Sequence, residues 1–368
     1  MKILILSPHN SVTSGYGNIT HELCSRLSDI DFTLLLPSSE KKYDYTNYKT
    51  EYVLPDFIFN AKTIKVIDYL TFKYDASDYD IVHSLFAWPY APLAARIAKQ
   101  YNKPLIVGAQ GTYGVKPLLT YPEKSLMKWA YNRAEEIIVP SYFTKKSIIK
   151  YSDTKTPINI IHNAVNFERF QKYYDTEDLK KRFGGKKILL TVGEIKPRKG
   201  QDIVVMAVKE LAKRRDDFHY VIIGSGGNRL KSILEREGLD KHVSLLGEVS
   251  GVELVKYFQL CYMYVHTPRL INWKFEGFGI VYLEASSCKK PIVASDFGGI
   301  RDAVLDGETG FVIPENDPVK IAGAIEKLLD SPELASRFGE NGFAYAKKHD
   351  WPLIAERFVA TYNKYTNE

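Results

Sequence analysis

Cysteine is scarce in this chain: three residues in 368, Cys24, Cys261 and Cys288. An odd number at wide spacing argues against a disulfide framework and against a zinc cluster. It suits a reducing compartment, so the expected location is cytoplasmic. Long apolar runs are missing as well. The opening MKILILSPHN holds one short run that stops at Ser7-Pro8, too short for a signal-peptide core, and nothing elsewhere reaches the ~18 residues of a spanning helix. The chain is therefore expected to be soluble, or peripheral at the inner face of a membrane. No block of one charge sign stands out, because the formal +6 comes from dispersed lysines and arginines. That speaks against a nucleic-acid partner and leaves an anionic ligand or an anionic membrane surface. No repeat of roughly 20 to 50 residues and no low-complexity tract is present. The glycine turn after the first apolar run, Gly15-Tyr16-Gly17, lacks the third glycine of G-x-G-x-x-G, which counts against nicotinamide-dependent hydride transfer.

What the chain has is alternation. With 45% hydrophobic residues it can bury real cores, and its length exceeds what one core usually fills, so about two domains are expected. Short apolar runs at 2–7, 32–37, 80–85, 104–109 and 136–141 read as buried strands, separated by amphipathic helix candidates at 19–27, 91–100 and 125–133. The same grammar restarts with strands at 187–193, 219–226, 242–247, 262–268, 291–296 and 310–314, and helices at 203–214, 229–237, 251–259, 278–287 and 318–331. The fold class is α/β, with two Rossmann-like doubly wound domains facing a central cleft. The expected division is 1–168, 169–350 and a C-terminal crossover helix at 351–368 that packs back on the first domain, with the join near 166–186. There the polar, aromatic-rich FERFQKYYDTEDLKKRFGGKK has no strand pattern.

Doubly wound sheets bind ligands at the carboxyl ends of their strands, so glycine-rich turns should mark that rim. Three do: Ser14-Gly15-Tyr16-Gly17, Gly224-Ser225-Gly226-Gly227 and Gly277-Phe278-Gly279. Each alone is equally well a tight turn; their combination is more informative. VGEIKPRKG, residues 192–200, puts Lys196, Arg198 and Lys199 at a strand end, where cations suit a diphosphate and where a solvated basic loop is the plainer alternative. In EGFGIVYLE, Glu276 and Glu284 bracket the third glycine turn. A helix starting near Phe278 would leave the amides of 277–279 free for a phosphate. Glu284 would then lie about a turn and a half further on, toward a ribose, and Glu276 would face a sugar.

These residues resemble a family. SGYGNITHEL (14–23), DIVHSL, IHNAVNFERF (161–170), VGEIKPRKG, VIIGSGGNRLKSIL (221–234), HVSLLGEVS (242–250), EGFGIVYLEA (276–285) and SDFGGIRDAVLDGETGFVIPENDP (295–318) together are similar to the retaining glycosyltransferases of the GT-B fold in glycosyltransferase family four. The resemblance covers nearly the whole chain. It implies that Glu276 sits by the donor sugar and is catalytic with Lys199, that Glu284 holds the ribose hydroxyls, and that the Phe278 and Gly279 amides bind the diphosphate with Lys199. It extends the donor site to Gly15, Gly17, Gly193, Arg198, Gly224, Val249 and Ile280, and makes His9, Tyr16, Gln110 and Thr112 acceptor or sugar contacts. The implied activity is transfer of a hexose from a UDP- or GDP-linked sugar to a hydroxyl of a glycan, glycolipid or lipid-linked acceptor. No cofactor or metal is needed, since lysine and helix amides stabilise the leaving diphosphate. Asp-x-Asp occurs as Asp29-Ile30-Asp31 and Asp78-Tyr79-Asp80, both at strand N-terminal ends where turn-forming aspartate is common.

Two positions depart from the family. Glu194 stands where many relatives carry an arginine, with Lys196 and Arg198 the candidates to supply the missing charge. Gln110 replaces a histidine and cannot change charge near neutral pH. Between Lys116 and Tyr151 seven lysines and arginines face three glutamates, interleaved with Leu118, Leu119, Leu126, Met127 and Trp129. That is either a face for an anionic bilayer and a lipid-linked acceptor, or a packed helix with a solvated basic side. Other readings are a nucleotide-sugar epimerase of the same fold, which would need no acceptor, and a non-catalytic sugar-nucleotide binder.

Overall fold

The structure is a computed structural model, and it describes residues 1–12, 14–43, 47–56 and 71–366. It divides into two units, Met1–Asn163 with Trp351–Glu368, and Ala164–Asp350.

The first unit is built on seven strands, β1 (Lys2–Leu6), β2 (Asp31–Pro37), β3 (Lys49–Leu54), β4 (Ile81–Ser84), β5 (Leu105–Gly108), β6 (Glu136–Val139) and β7 (Ile158–Ile160). They form one sheet in the order β3-β2-β1-β4-β5-β6-β7, with every pairing parallel. The central strands read as unbroken apolar runs because helices cover both faces of a parallel sheet. The two edge strands are different. β3, KTEYVL, buries only Leu54 fully, and β7 is three half-buried residues. Neither had an apolar run to announce it, since an edge strand needs less burial and carries more polar side chains.

Helices Gly15–Cys24, Ala91–Gln100, Glu123–Arg133 and Tyr142–Ser152 connect these strands. Helix Trp351–Asn363 completes the unit. The Tyr362 hydroxyl meets His83 Nδ1 at 2.9 Å inside the core, Arg357 donates to the Ile160 carbonyl at 2.8 Å, and Tyr365 donates to the Glu136 carboxylate at 2.9 Å.

The second unit has six parallel strands, β8 (Lys187–Val192), β9 (Phe218–Ile223), β10 (Val243–Leu245), β11 (Met263–His266), β12 (Ile292–Ser295) and β13 (Gly310–Ile313), in the order β10-β9-β8-β11-β12-β13. Successive side chains go to opposite faces: Leu190, Val221 and Tyr264 join one core layer, and Leu189, Tyr220 and Val265 the other. The segment 166–186, read as the join, folds instead within this unit as helices Phe167–Gln171 and Glu177–Arg182. Its phenylalanines are the reason. Phe167, Phe170 and Phe183 are buried in the core beside Phe258, at the cost of no strand pattern in the sequence. The chain leaves and re-enters this unit at neighbouring points, where the Val165 amide donates to the His349 carbonyl at 2.9 Å.

Candidate active site

Three loops of the second unit converge at the carboxyl ends of β8, β9 and β11, the strands at the centre of its sheet. The turn after β8 packs backbone to backbone on the turn after β9: a Cβ on Gly224, which has φ 155°, would run into the Gly193 carbonyl, and the Gly224 amide donates to Gly247 at 2.7 Å. Gln201 ties the same turn from inside, donating to the Gly193 and Glu194 carbonyls at 3.3 and 3.2 Å. Further on, residues Pro197–Lys199 make one 3-10 turn, and helix Gln201–Ala212 follows. The Arg269 amide donates to the Arg198 carbonyl at 2.8 Å and Thr267 Oγ1 to the Gly200 carbonyl at 3.3 Å, so the loop is stitched to the tail of β11.

That stitching aims Lys199 and Arg198 at one carboxylate. Lys199 Nζ donates to Glu276 Oε2 at 2.6 Å, and Arg198 lies 3.7 Å from the same oxygen. Burial alone would raise the Glu276 carboxyl, but Lys199 and then Arg198 outweigh it and hold it down to about 2. Glu276 is therefore a carboxylate at any working pH. Two cations on one anion leave an excess positive charge at this point, which favours a further anion. The glutamate's backbone is fixed from the other side, since the Gly299 amide donates to its carbonyl at 2.9 Å. Gly298 lies so close to that carbonyl, with φ 72°, that no side chain fits. Lys196 takes no part: it pairs with Glu194 at 2.5 Å, both about half exposed. Of the two replacements proposed for the cation that Glu194 displaces, only Arg198 reaches the site.

His266, at the end of β11, was not singled out in the sequence. It is fully buried, neither ring nitrogen has a hydrogen-bond partner among the described residues, and burial followed by the Lys199 charge pushes its pKa down to about 3. It is a neutral imidazole in contact with the rings of Tyr264 and Tyr282. The signal available in YMYVHTP was a histidine at the last position of a strand feeding the glycine turn.

The helix after Glu276 spans Ile280–Ser287 and starts two residues later than expected. Gly279, at φ 93°, occupies its N-cap and supplies no capping side chain. The first turn's amides consequently have no partner within the helix. Phe278 is buried in the core ahead of the helix. Glu284 is the fifth helical residue. It is half-buried, and burial, only partly offset by Arg169, raises its carboxyl to about 7. Val249 is half-buried and packs on the core edge.

In the first unit, Ser14 caps helix Gly15–Cys24 by accepting from the Gly17 amide at 3.0 Å. That amide is thereby spent on the cap; Gly15 is exposed. Tyr16 stacks edge-on against Phe86 and Tyr113 at 4.8 and 5.5 Å. His9 Nδ1 meets Glu40 at 3.1 Å. Gln110 and Thr112 are buried just beyond β5, on either side of Gly111 with its φ of 54°. The Asp-x-Asp pairs have structural partners or open solvent: Asp80 accepts from the Lys2 amide at 2.7 Å, and no group of three potential metal ligands occurs among the described residues. On the 116–151 segment, Met127 and Leu118 are buried, whereas Tyr121, Leu126, Trp129, Tyr142 and Ile149 are exposed. No helix among the described residues is long and apolar enough to cross a membrane.

The chain is similar to known glycosyltransferases. The profile of the glycosyl transferases group 1 matches residues 175–345, and that of glycosyltransferase family 4 matches residues 13–169. An uncharacterised glycosyltransferase of Methanocaldococcus jannaschii is 28% identical over 360 residues, 95% of each chain. The GDP-mannose-dependent alpha-(1-6)-phosphatidylinositol monomannoside mannosyltransferase of Mycolicibacterium smegmatis is 29% identical over 222 residues, 58% of each chain. Among solved structures, Anabaena HepE in complex with UDP and glucose superposes with a TM-score of 0.81 at 20% identity, over 99% of both chains. The architecture is the GT-B fold.

Proposed function

This chain belongs to the glycosyltransferases of family 4, with the group 1 profile over its second unit, and from that premise we propose that it moves a hexose from a UDP- or GDP-linked sugar to a hydroxyl of a glycan or lipid-linked acceptor, with retention at the anomeric carbon and without a metal. The observation that carries the reading is the Lys199–Glu276 contact at 2.6 Å beside an uncapped helix start. In the proposed donor complex, Lys199 and Arg198 turn to the diphosphate. The amides at Gly279 and Ile280 donate to the remaining phosphate oxygens, Glu284 accepts from the ribose hydroxyls, and Glu276 accepts from those of the hexose.

The bond from the anomeric carbon to the diphosphate oxygen breaks, its electron pair stays on the diphosphate, and positive charge develops on the sugar ring. The lysine, the arginine and the amides stabilise the departing charge from fixed positions. An acceptor oxygen attacks from the face the diphosphate leaves, and its proton passes to the diphosphate oxygen. Glu276, held ionised, stabilises the ring and is no proton donor. The donor class follows two relatives: the mannosyltransferase named above is GDP-mannose-dependent, and HepE binds UDP with glucose. The first is also a transferase to a phosphoinositide, which supports a lipid-linked acceptor and a peripheral position at the inner membrane face.

A thermal-shift panel of UDP- and GDP-hexoses at millimolar concentration tests the donor site. A ligand at a hundredfold excess over its Kd stabilises the fold by about 2.7 kcal/mol, a Tm rise of several degrees. At least one sugar nucleotide is expected to do so; a flat response to all of them contradicts the proposal.

A further inference from the structure

The short helix Phe167–Gln171 buries its two phenylalanines and leaves an arginine between them unpaired. Phe167 and Phe170 enter the core of the second unit, Phe170 edge-on against Phe258 at 5.6 Å. Asn166 caps the helix by accepting from the Arg169 amide at 3.2 Å. The Arg169 side chain is half-buried, with its guanidinium 5.5 Å from the centre of the Phe170 ring, and it donates to the Gly251 carbonyl at 3.2 Å. Gly251 opens helix Gly251–Leu260, two residues after Val249. Among the described residues no carboxylate forms an ion pair with Arg169.

The same short helix is fixed to the one that carries Glu284. Gln171 donates to the Ser287 carbonyl at 3.0 Å, and the Cys288 thiol lies 4.0 Å from the Phe170 carbonyl. Ser287 is one turn beyond Glu284, so helix Phe167–Gln171 runs alongside that stretch of helix Ile280–Ser287. Arg169 is the charge that acts on Glu284 there. Glu284 itself accepts no hydrogen bond among the described residues. A half-buried cation and an ionisable carboxyl therefore lie near one another without being joined, an arrangement found more often at ligand sites than in structural ion pairs. Helix Pro332–Lys347 meets helix Ile280–Ser287 with Gly342 against Ser286 and brings no charge to Glu284. The other titratable neighbours of Glu284 are Tyr264 of β11 and Cys288. Burial pushes both up, Cys288 to about 12, so neither changes charge at working pH.

On the transferase reading above, we propose that Arg169 is a positioning residue for the nucleoside half of the donor. Its guanidinium holds the first turn of helix Gly251–Leu260, and its charge favours the ionised form of Glu284, the form that accepts from ribose hydroxyls.

Arg169→Gln and Arg169→Lys, each alone and combined with Glu284→Gln, separate this role from a purely structural one. UDP and GDP are titrated by calorimetry at pH 6 and pH 9. Without the cation Glu284 keeps its proton to higher pH. R169Q should therefore bind about three- to tenfold more weakly than the wild type at pH 6, with most of that deficit gone at pH 9. Arg169→Lys keeps the charge and should recover most of the loss at pH 6. With Glu284→Gln in place, removing the cation should have the same effect at both pH values. An equal loss at pH 6 and pH 9 with Glu284 present, no loss at all, or a pH-dependent loss that survives in E284Q overturns the proposal.

Thermal unfolding supplies a second arm that needs no ligand. Ionising Glu284 destabilises the fold as pH rises through its raised folded-state pKa, and removing Arg169 enlarges that effect. The Tm deficit of R169Q against the wild type should be larger at pH 9 than at pH 5, the reverse of the binding trend, and level in the Glu284→Gln background. A deficit of one size at both pH values with Glu284 present overturns the proposal too. Failure of both nucleotides to bind the wild type would sink the donor reading instead, and the unfolding arm would still decide whether Arg169 acts on Glu284.

Discussion

Glu276 and Glu284 are eight residues apart and chemically identical, yet the fold drives them in opposite directions. Cations hold Glu276 ionised at about 2, and burial lifts Glu284 to about 7. For Glu284 the sign follows directly. Its folded pKa is raised, so its contribution to stability is full below the ordinary carboxyl value of 4.5 and is lost as pH rises through 7. In the proposed donor complex ribose hydroxyls donate to the Glu284 carboxylate, so nucleotide binding would drive the proton off. UDP or GDP affinity, measured by calorimetry, is accordingly expected to rise between pH 6 and 8, at most about tenfold per pH unit below the pKa. Proton release should accompany binding near neutrality, and Glu284→Gln should remove both. A pH-independent affinity in the wild type would detach Glu284 from the nucleotide. The sequence made this pair legible through its spacing and the glycines between. It did not show that Lys196 is spent on Glu194 or that His266 lines the site, because both depend on which side chains neighbouring strand ends bring together.

Among the elements, the basic 116–151 segment was open between a membrane face and an ordinary packed helix. The structure shows packed helices with an exposed basic side, and the membrane face stays a proposal. Helix Glu123–Arg133 buries Met127, Ala130 and Tyr131 and leaves Leu126 and Trp129 exposed, and helix Tyr142–Ser152 exposes Tyr142 and Ile149 among Lys145, Lys146 and Lys150. Aromatic and aliphatic side chains interspersed with lysines suit an anionic bilayer surface. Flotation with vesicles containing phosphatidylserine is expected to carry the protein upward at low salt and to lose it at high salt, since the Debye length shrinks from ~10 Å at 0.1 M to ~3 Å at 1 M. Trp129→Ala with Lys128→Ala should weaken flotation severalfold. Equal flotation with neutral vesicles would remove the anionic surface from the account, and no flotation at low salt would remove the membrane. Of the elements the sequence did not announce, β3, β7 and the short helices of 166–186 share a cause: they are sheet edges or aromatic-anchored turns, without the periodicity a covered strand or long helix requires; helices Tyr142–Ser152 and Pro332–Lys347 were missed as well.

For the whole molecule, two parallel sheets were legible because a sheet covered on both faces writes itself as a row of apolar runs, and GT-B architecture follows from sheet order and superposition. Substrate identity is not written that way, since the candidate donor contacts include backbone amides that any sequence of suitable shape supplies. The central claim is that one carboxylate, Glu276, serves a metal-free, retaining hexose transfer. It is tested most directly by incubating wild type and Glu276→Ala with UDP- and GDP-hexoses and an alkyl glycoside acceptor, in chelator, and reading the product's anomeric configuration by NMR. The account predicts an α-linked product from an α-linked donor, formed equally well with and without chelator, and a rate lowered about 100- to 1,000-fold in the variant. An inverted product, activity that requires added magnesium or manganese, or wild-type turnover by Glu276→Ala would contradict it.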